Sequence, residues 1–159
     1  MCAFLVLGSA SAQDASVPAE GIDWKPFNEA IELAAQQNKK VLVDIYAAWC
    51  PWCRRLQREV YPQEAIRQRV EEFFIATRLD GENQADSVRY LDFTLSQSEL
   101  ALGFGTQGYP NTVFLDADGQ YITRLPGFVD AAEFEKILAY VGTDAFKELT
   151  YPEYLESQR

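Results

Sequence analysis

No histidine occurs anywhere in this 159-residue chain, which removes both the commonest metal ligand and the usual general base. A Ser-His-Asp or Cys-His hydrolase is therefore excluded. Cysteine is scarce: Cys2, Cys50 and Cys53 are too few for a disulfide-stapled secreted scaffold and short of the four ligands of a structural zinc site. Met1 is the one methionine, and no apolar run approaches the about 20 residues that span a bilayer. Cations are in the minority, 14 Lys and Arg against 24 Asp and Glu, a net charge of -10. Neither a nucleic-acid backbone nor an anionic lipid surface suits such a chain. Internal repeats and low-complexity segments are also missing.

What is present is enough apolar residue, 48% of the chain, to bury one core. The first twelve residues, MCAFLVLGSASA, have an apolar stretch followed by a small-x-small site at Ala10-Ser11-Ala12. They read as the remnant of an export signal, the alternative being the frayed start of a cytoplasmic protein. Residues 13–22 read as a linker, 23–142 as the main domain and 143–159 as a helical extension.

The chain is organised around VLVDIYAAWCPWCRRL, Val41 to Leu56. A β-branched run, Val41 to Ala47, delivers Trp49, Cys50, Pro51, Trp52 and Cys53 to the start of a helix. Residues i and i+3 of a helical first turn share a face, so the two cysteines can close a small disulfide ring. Unpaired N–H groups and the positive helix end favour a thiolate at Cys50. At pH 7 an unperturbed thiol is only about 3% ionised, whereas one lowered to about pKa 7 is half ionised. Arg54, Arg55 and Arg58 either add to that shift or decorate a solvated face.

Around this stretch the pattern predicts a helix capped by Asp23, with Trp24, Phe27, Ala30, Ile31 and Ala34 on its apolar face. Pro62 interrupts the cysteine helix, Glu64 to Glu71 continues helical, and Phe73 to Leu79 is a second strand. Two helical stretches are expected in the segment from Asp80 to Gly108, Gln84 to Leu91 and Ser96 to Leu102, the latter opening on a Ser96/Glu99 capping box. Strands at Asn111 to Leu115 and Gln120 to Leu125 join through Asp118-Gly119, and Asp130 with Glu133 starts a helix carrying Phe134, Ile137, Leu138 and Val141. The fold class is α/β: a mixed sheet of four to five strands flanked by helices, with an inserted helical segment and a C-terminal helical extension.

VDIYAAWCPWC resembles the active-site signature of the thioredoxin family, and GYP with FLDADG resembles its cis-proline loop and hairpin. The resemblance runs from about Trp24 to Val141. It implies a thioredoxin fold, no cofactor and no metal, and disulfide exchange in which Cys50 attacks, Cys53 resolves and Trp49 shields the pair. Asp44, six residues before Cys50, matches the buried carboxylate that relays a proton for the resolving cysteine. Arg78 aligns with a basic residue near that carboxylate, the alternative being an exposed charge at a strand end. Pro110, just before a buried strand, cannot donate to a ladder; a cis bond there would turn the Tyr109 backbone toward the sulfurs and leave an edge for a partner strand. Trp49, Pro51, Trp52, Tyr109 and Pro110 are thus the expected partner-binding residues.

Two departures bear on direction and subtype. Pro51-Trp52 between the cysteines brings no imidazole to hold the thiolate, which favours a reductant over an oxidase or isomerase. The long 80–108 segment and the tail resemble periplasmic thioredoxin-like proteins of sulfur oxidation or cytochrome c maturation. The expected partners are protein thiols and disulfides and a membrane or soluble electron donor, met by a periplasmic monomer. A Cu(I)-holding module using the two thiolates, or a redox-dead domain, are the competing readings.

Overall fold

The computed structural model describes residues 21–159; the expected export signal and all but the last two residues of the expected linker lie outside the described residues. Five strands form the main sheet in the order β1-β3-β2-β6-β7. They are β1 (Trp24–Lys25), β2 (Lys40–Tyr46), β3 (Phe74–Asp80), β6 (Asn111–Leu115) and β7 (Tyr121–Pro126). The intervening β4 (Ser87–Tyr90) and β5 (Phe93–Ser96) make a separate hairpin. β1 and β2 lie parallel to β3, while β6 runs antiparallel to both β2 and β7. The helices are α1 (Phe27–Gln37), α2 (Pro51–Glu59), α3 (Glu64–Phe73), α4 (Gln97–Gly103), α5 (Ala131–Gly142) and α6 (Tyr151–Ser157).

β2 is central, and its alternation divides the core. Val41, Val43 and Ile45 face α1 and α4, packing with Phe27, Ala34 and Leu100. Leu42 points the other way, into a cluster with Leu56 of α2, Val70 of α3 and Leu138 of α5. Because side chains alternate in a strand, Asp44 and Tyr46 share the Leu42 face, on the side covered by the cysteine helix.

Three expectations change. Asp23 does not cap the first helix: its carboxylate pairs with Lys25 at 2.9 Å, and Trp24 lies in a strand. Pro26 is the reason, since it disfavours helical backbone at Lys25 and the helix begins only after it. The stretch Gln84 to Leu91 is not helical. Val88 is buried between exposed Ser87 and Arg89, a two-residue period, and Asn83 Oδ1 accepts from the N–H groups of Ala85 and Asp86 to form a turn instead. Asn28 on α1 then clamps the hairpin, donating to the Arg89 carbonyl at 2.7 Å and accepting from its N–H at 3.3 Å. The insertion is therefore a hairpin followed by a helix, and α4 does start on the Ser96/Glu99 capping box.

Asp130 accepts from Glu133 N–H at 3.0 Å and opens α5 as the sequence indicates. The last seventeen residues fold back as a 3₁₀ turn, Ala145–Lys147, and α6. Tyr140 of α5 anchors them, donating to the Leu149 carbonyl at 2.6 Å and packing edge-on to Tyr151 with ring centroids 5.2 Å apart.

Candidate functional site

The end of β2 and the start of α2 set the site. After Tyr46 the chain turns through Ala47 to Trp49, with Cys50 N–H donating to the Ala47 carbonyl at 3.1 Å. Cys50 is the N-cap of α2 and Pro51 occupies the first turn, where its missing N–H costs nothing. Cys53 N–H donates to Cys50 Sγ at 3.1 Å, so one of the helix's orphan donors points at the first sulfur. Cys50 and Cys53 are joined in a disulfide, and each is 2% exposed. They form a small buried cluster with Tyr46 and Ala47, against which Tyr109 packs.

Against Tyr46 of this cluster lies an ion pair. Arg78 Nε donates to Asp44 Oδ2 at 2.9 Å, with the two side chains 12% and 2% exposed. The two residues are register partners on the parallel β3 and β2 strands, and Thr112 of β6 flanks Asp44 on its other side. The guanidinium also lies 4.1 Å from the Tyr46 ring and 5.4 Å from Trp24, so Arg78 is enclosed by aromatic faces rather than hanging from a strand end.

The Tyr109–Pro110 peptide is cis. The Tyr109 ring meets Trp49 edge to face at 6.0 Å, and a cleft of about 370 Å³ bounded by Tyr109, Pro110, Arg124 and Gly127 opens beside it. Burial, followed by the charges of Glu82 and Asp80, raises the Tyr109 hydroxyl above its ordinary value. Beyond the disulfide, Trp52 packs on Phe128 at 5.5 Å, and Arg55 lies over both rings. Trp49 and Trp52 remain 60% and 52% exposed, an unusual waste of aromatic area unless something else covers it. A larger cleft of about 620 Å³, between α1, α3 and the β1–β3 edge, contains none of the candidate site residues.

All nine candidate residues thus gather at one end of β2 or directly below it. Two of the neighbouring arginines are engaged elsewhere: Arg54 donates to the Ala48 carbonyl at 3.0 Å, and Arg55 pairs with Glu59 at 2.8 Å. Sequence reasoning missed Phe128 and Tyr61. Phe128 follows the Pro126-Gly127 break and carries no local sign of its destination. Tyr61, a polar-tipped ring at the α2 exit, is fully buried, and its hydroxyl was the available clue.

Residues 27–142 match the thioredoxin-like domain family. The thiol:disulfide interchange protein DsbD of Actinobacillus pleuropneumoniae serotype 5b is 30% identical over 105 residues, which is 65% of this chain but only 16% of that protein. Among solved structures, a thioredoxin from Thermus thermophilus superposes with a TM-score of 0.64 at 25% identity, covering 76% of this chain and 87% of the other. The oxidised C-terminal domain of Neisseria meningitidis DsbD gives 0.53 at 23% identity, covering 70% and 90%, a likeness of fold. With the matched family spanning most of its length, from α1 to the end of α5, the chain belongs to the thioredoxin-like family.

Proposed function

We propose that this protein is a thiol-disulfide oxidoreductase that reduces disulfides of exported partner proteins by cycling Cys50 and Cys53 between dithiol and disulfide. The observation that carries the reading is the placement of Cys50 Sγ as the N-cap of α2, accepting from Cys53 N–H, at the end of the strand that carries the buried Asp44. In the reduced protein the Cys50 thiolate attacks a partner disulfide; that S–S bond breaks and one partner thiolate leaves. Cys53 gives its proton to the Asp44 carboxylate and attacks Cys50 Sγ, so the mixed disulfide breaks and the second partner thiolate departs. Two electrons have then passed to the partner, and a membrane or soluble thiol donor restores the dithiol.

Arg78 holds the Asp44 carboxylate, while Trp49, Pro51, Trp52, Tyr109 and Pro110 form the surface on which a partner strand lies. The reducing direction is supported by the Pro51-Trp52 dipeptide, which offers no imidazolium to stabilise the thiolate. Export is supported by Met1 to Ala12, with cleavage before Gln13. We place the exchange unit in residues 23–142, with 143–159 as an accessory extension, acting as a monomer of the type that serves sulfur oxidation or cytochrome c maturation.

Cys53→Ser leaves the attacking thiol without its resolving mate and should accumulate mixed disulfides with exported proteins, while Cys50→Ser/Cys53→Ser should trap none. Recovery of no mixed disulfide from Cys53→Ser would count against the function. Equilibration with glutathione tests direction, since reduction well above about −200 mV would make the protein an oxidase or isomerase.

A further inference from the structure

The Asp44 carboxylate is only half satisfied. Oδ2 accepts from Arg78, whereas Oδ1 is buried with no direct hydrogen-bond donor. The Tyr61 hydroxyl, also buried and without a direct partner, lies on the same face of the sheet. Its ring is held by edge and tilted contacts to Trp24 at 5.2 Å and Phe134 at 6.2 Å. The other groups on this face are Arg78 from β3, Tyr46 from β2 itself, neutral Thr112 from β6 and Cys53 from α2, the last packed with Tyr46. Two buried oxygens, one an acceptor and one a donor, are thus without a well-formed bond on the same face, linked through Trp24, which touches both the Tyr61 ring and the Arg78 guanidinium that holds Asp44, and such orphans are costly.

Burial first, and then the charge and acceptor strength of Asp44, raise the Tyr61 hydroxyl well above its ordinary value, against smaller opposing effects of Arg78 and Thr112. The group therefore keeps its proton throughout the physiological range and is available as a donor. In the oxidised protein it is close enough to interact with the carboxylate, short of a well-formed hydrogen bond.

We propose that Tyr61 is a positioning residue for the resolving step, its hydroxyl closing on Asp44 Oδ1 and setting the pH at which that carboxylate can accept the Cys53 proton. The inference rests on the exchange mechanism above. Tyr61 itself neither gives up nor receives a proton: the Cys53 proton goes to Asp44, the Cys53 sulfur bonds to Cys50 Sγ, and the partner thiolate leaves with the electron pair of the broken bond. A donor to the charged carboxylate favours that form. Beside a bare ring the charged carboxylate loses that donor.

Tyr61→Phe keeps the ring and removes the donor. A hydrogen bond to a charged group in a buried site corresponds to about one pH unit or somewhat more. The acid limb of the pH–rate profile for disulfide turnover should accordingly move upward by about one unit, with the alkaline plateau changed less than about twofold. Site-specific 3-fluorotyrosine in place of Tyr61, a stronger donor of nearly the same size, should move the limb the opposite way and preserves the measurement if Tyr61→Phe folds poorly. A rate loss equal at all pH values, or a limb that stays put in both proteins, overturns the proposal. Carbon-13 titration of the Asp44 carboxyl in reduced wild type and reduced Tyr61→Phe provides a readout independent of turnover. An upward shift of the midpoint in Tyr61→Phe supports the coupling even should wild type prove inactive in exchange, and coincident curves refute it.

Discussion

Replacing Arg78 with methionine removes the guanidinium from Asp44 while keeping part of its packing against Tyr46 and Trp24. At the observed 2.9 Å and an effective dielectric of about 20, the lost attraction is about 6 kcal/mol before the cost of taking both ions out of water. Breaking one half of such a buried pair costs about 3–5 kcal/mol, because the remaining charge is left uncompensated. That is a large share of the about 5–15 kcal/mol by which a domain is stable. Urea unfolding of the oxidised protein at neutral pH should show Arg78→Met less stable by this amount. Adding Asp44→Asn removes the stranded charge, so the double variant should regain about 2 kcal/mol or more over Arg78→Met. A loss below about 1 kcal/mol in Arg78→Met, or no recovery in the double variant, would refute the claim that an unpaired Asp44 is what destabilises the site.

Gly81 tests Tyr109, because a Cβ at that position would overlap the Tyr109 ring and hydroxyl. Gly81→Ala should displace the ring from Trp49, lower disulfide-reduction turnover severalfold and cost about 1–3 kcal/mol of stability; unchanged turnover would remove Tyr109 from the partner surface. The tail makes a prediction about alkaline pH. Burial, then the 2.7 Å bond to Glu133 and its charge, raise the Tyr151 hydroxyl, so the folded protein holds this proton more tightly than the unfolded chain. Stability from that source is complete below about pH 10 and declines as pH rises through and above it. Wild type should therefore lose stability more steeply than Tyr151→Phe between pH 9 and 11 in denaturant titrations, and parallel slopes would contradict the assignment.

Local chemistry was legible wherever adjacent residues decide the outcome. The strand from Val41, the helix opening at Pro51, the Ser96 and Asp130 caps and the Asp118-Gly119 turn depend on neighbours a few residues apart, so composition and spacing reveal them. The cysteine pair belongs to this class, since an i, i+3 spacing at a helix start brings the sulfurs together whatever the rest of the chain does.

Tertiary structure decided the rest because those features depend on register between distant strands. Trp24 and Lys25 became a strand only because the edge of β3 was free to pair with them. Ser87 to Tyr90 became half of a hairpin because Asn28 and β5 supply its partners. Asp44 and Arg78 are 34 residues apart, and their contact follows from parallel pairing of β2 with β3, which no local pattern specifies. Tyr61 is the clearest instance: its sequence marks it as an aromatic helix exit, and only the packing of α2 and α5 over the sheet buries that ring together with its hydroxyl.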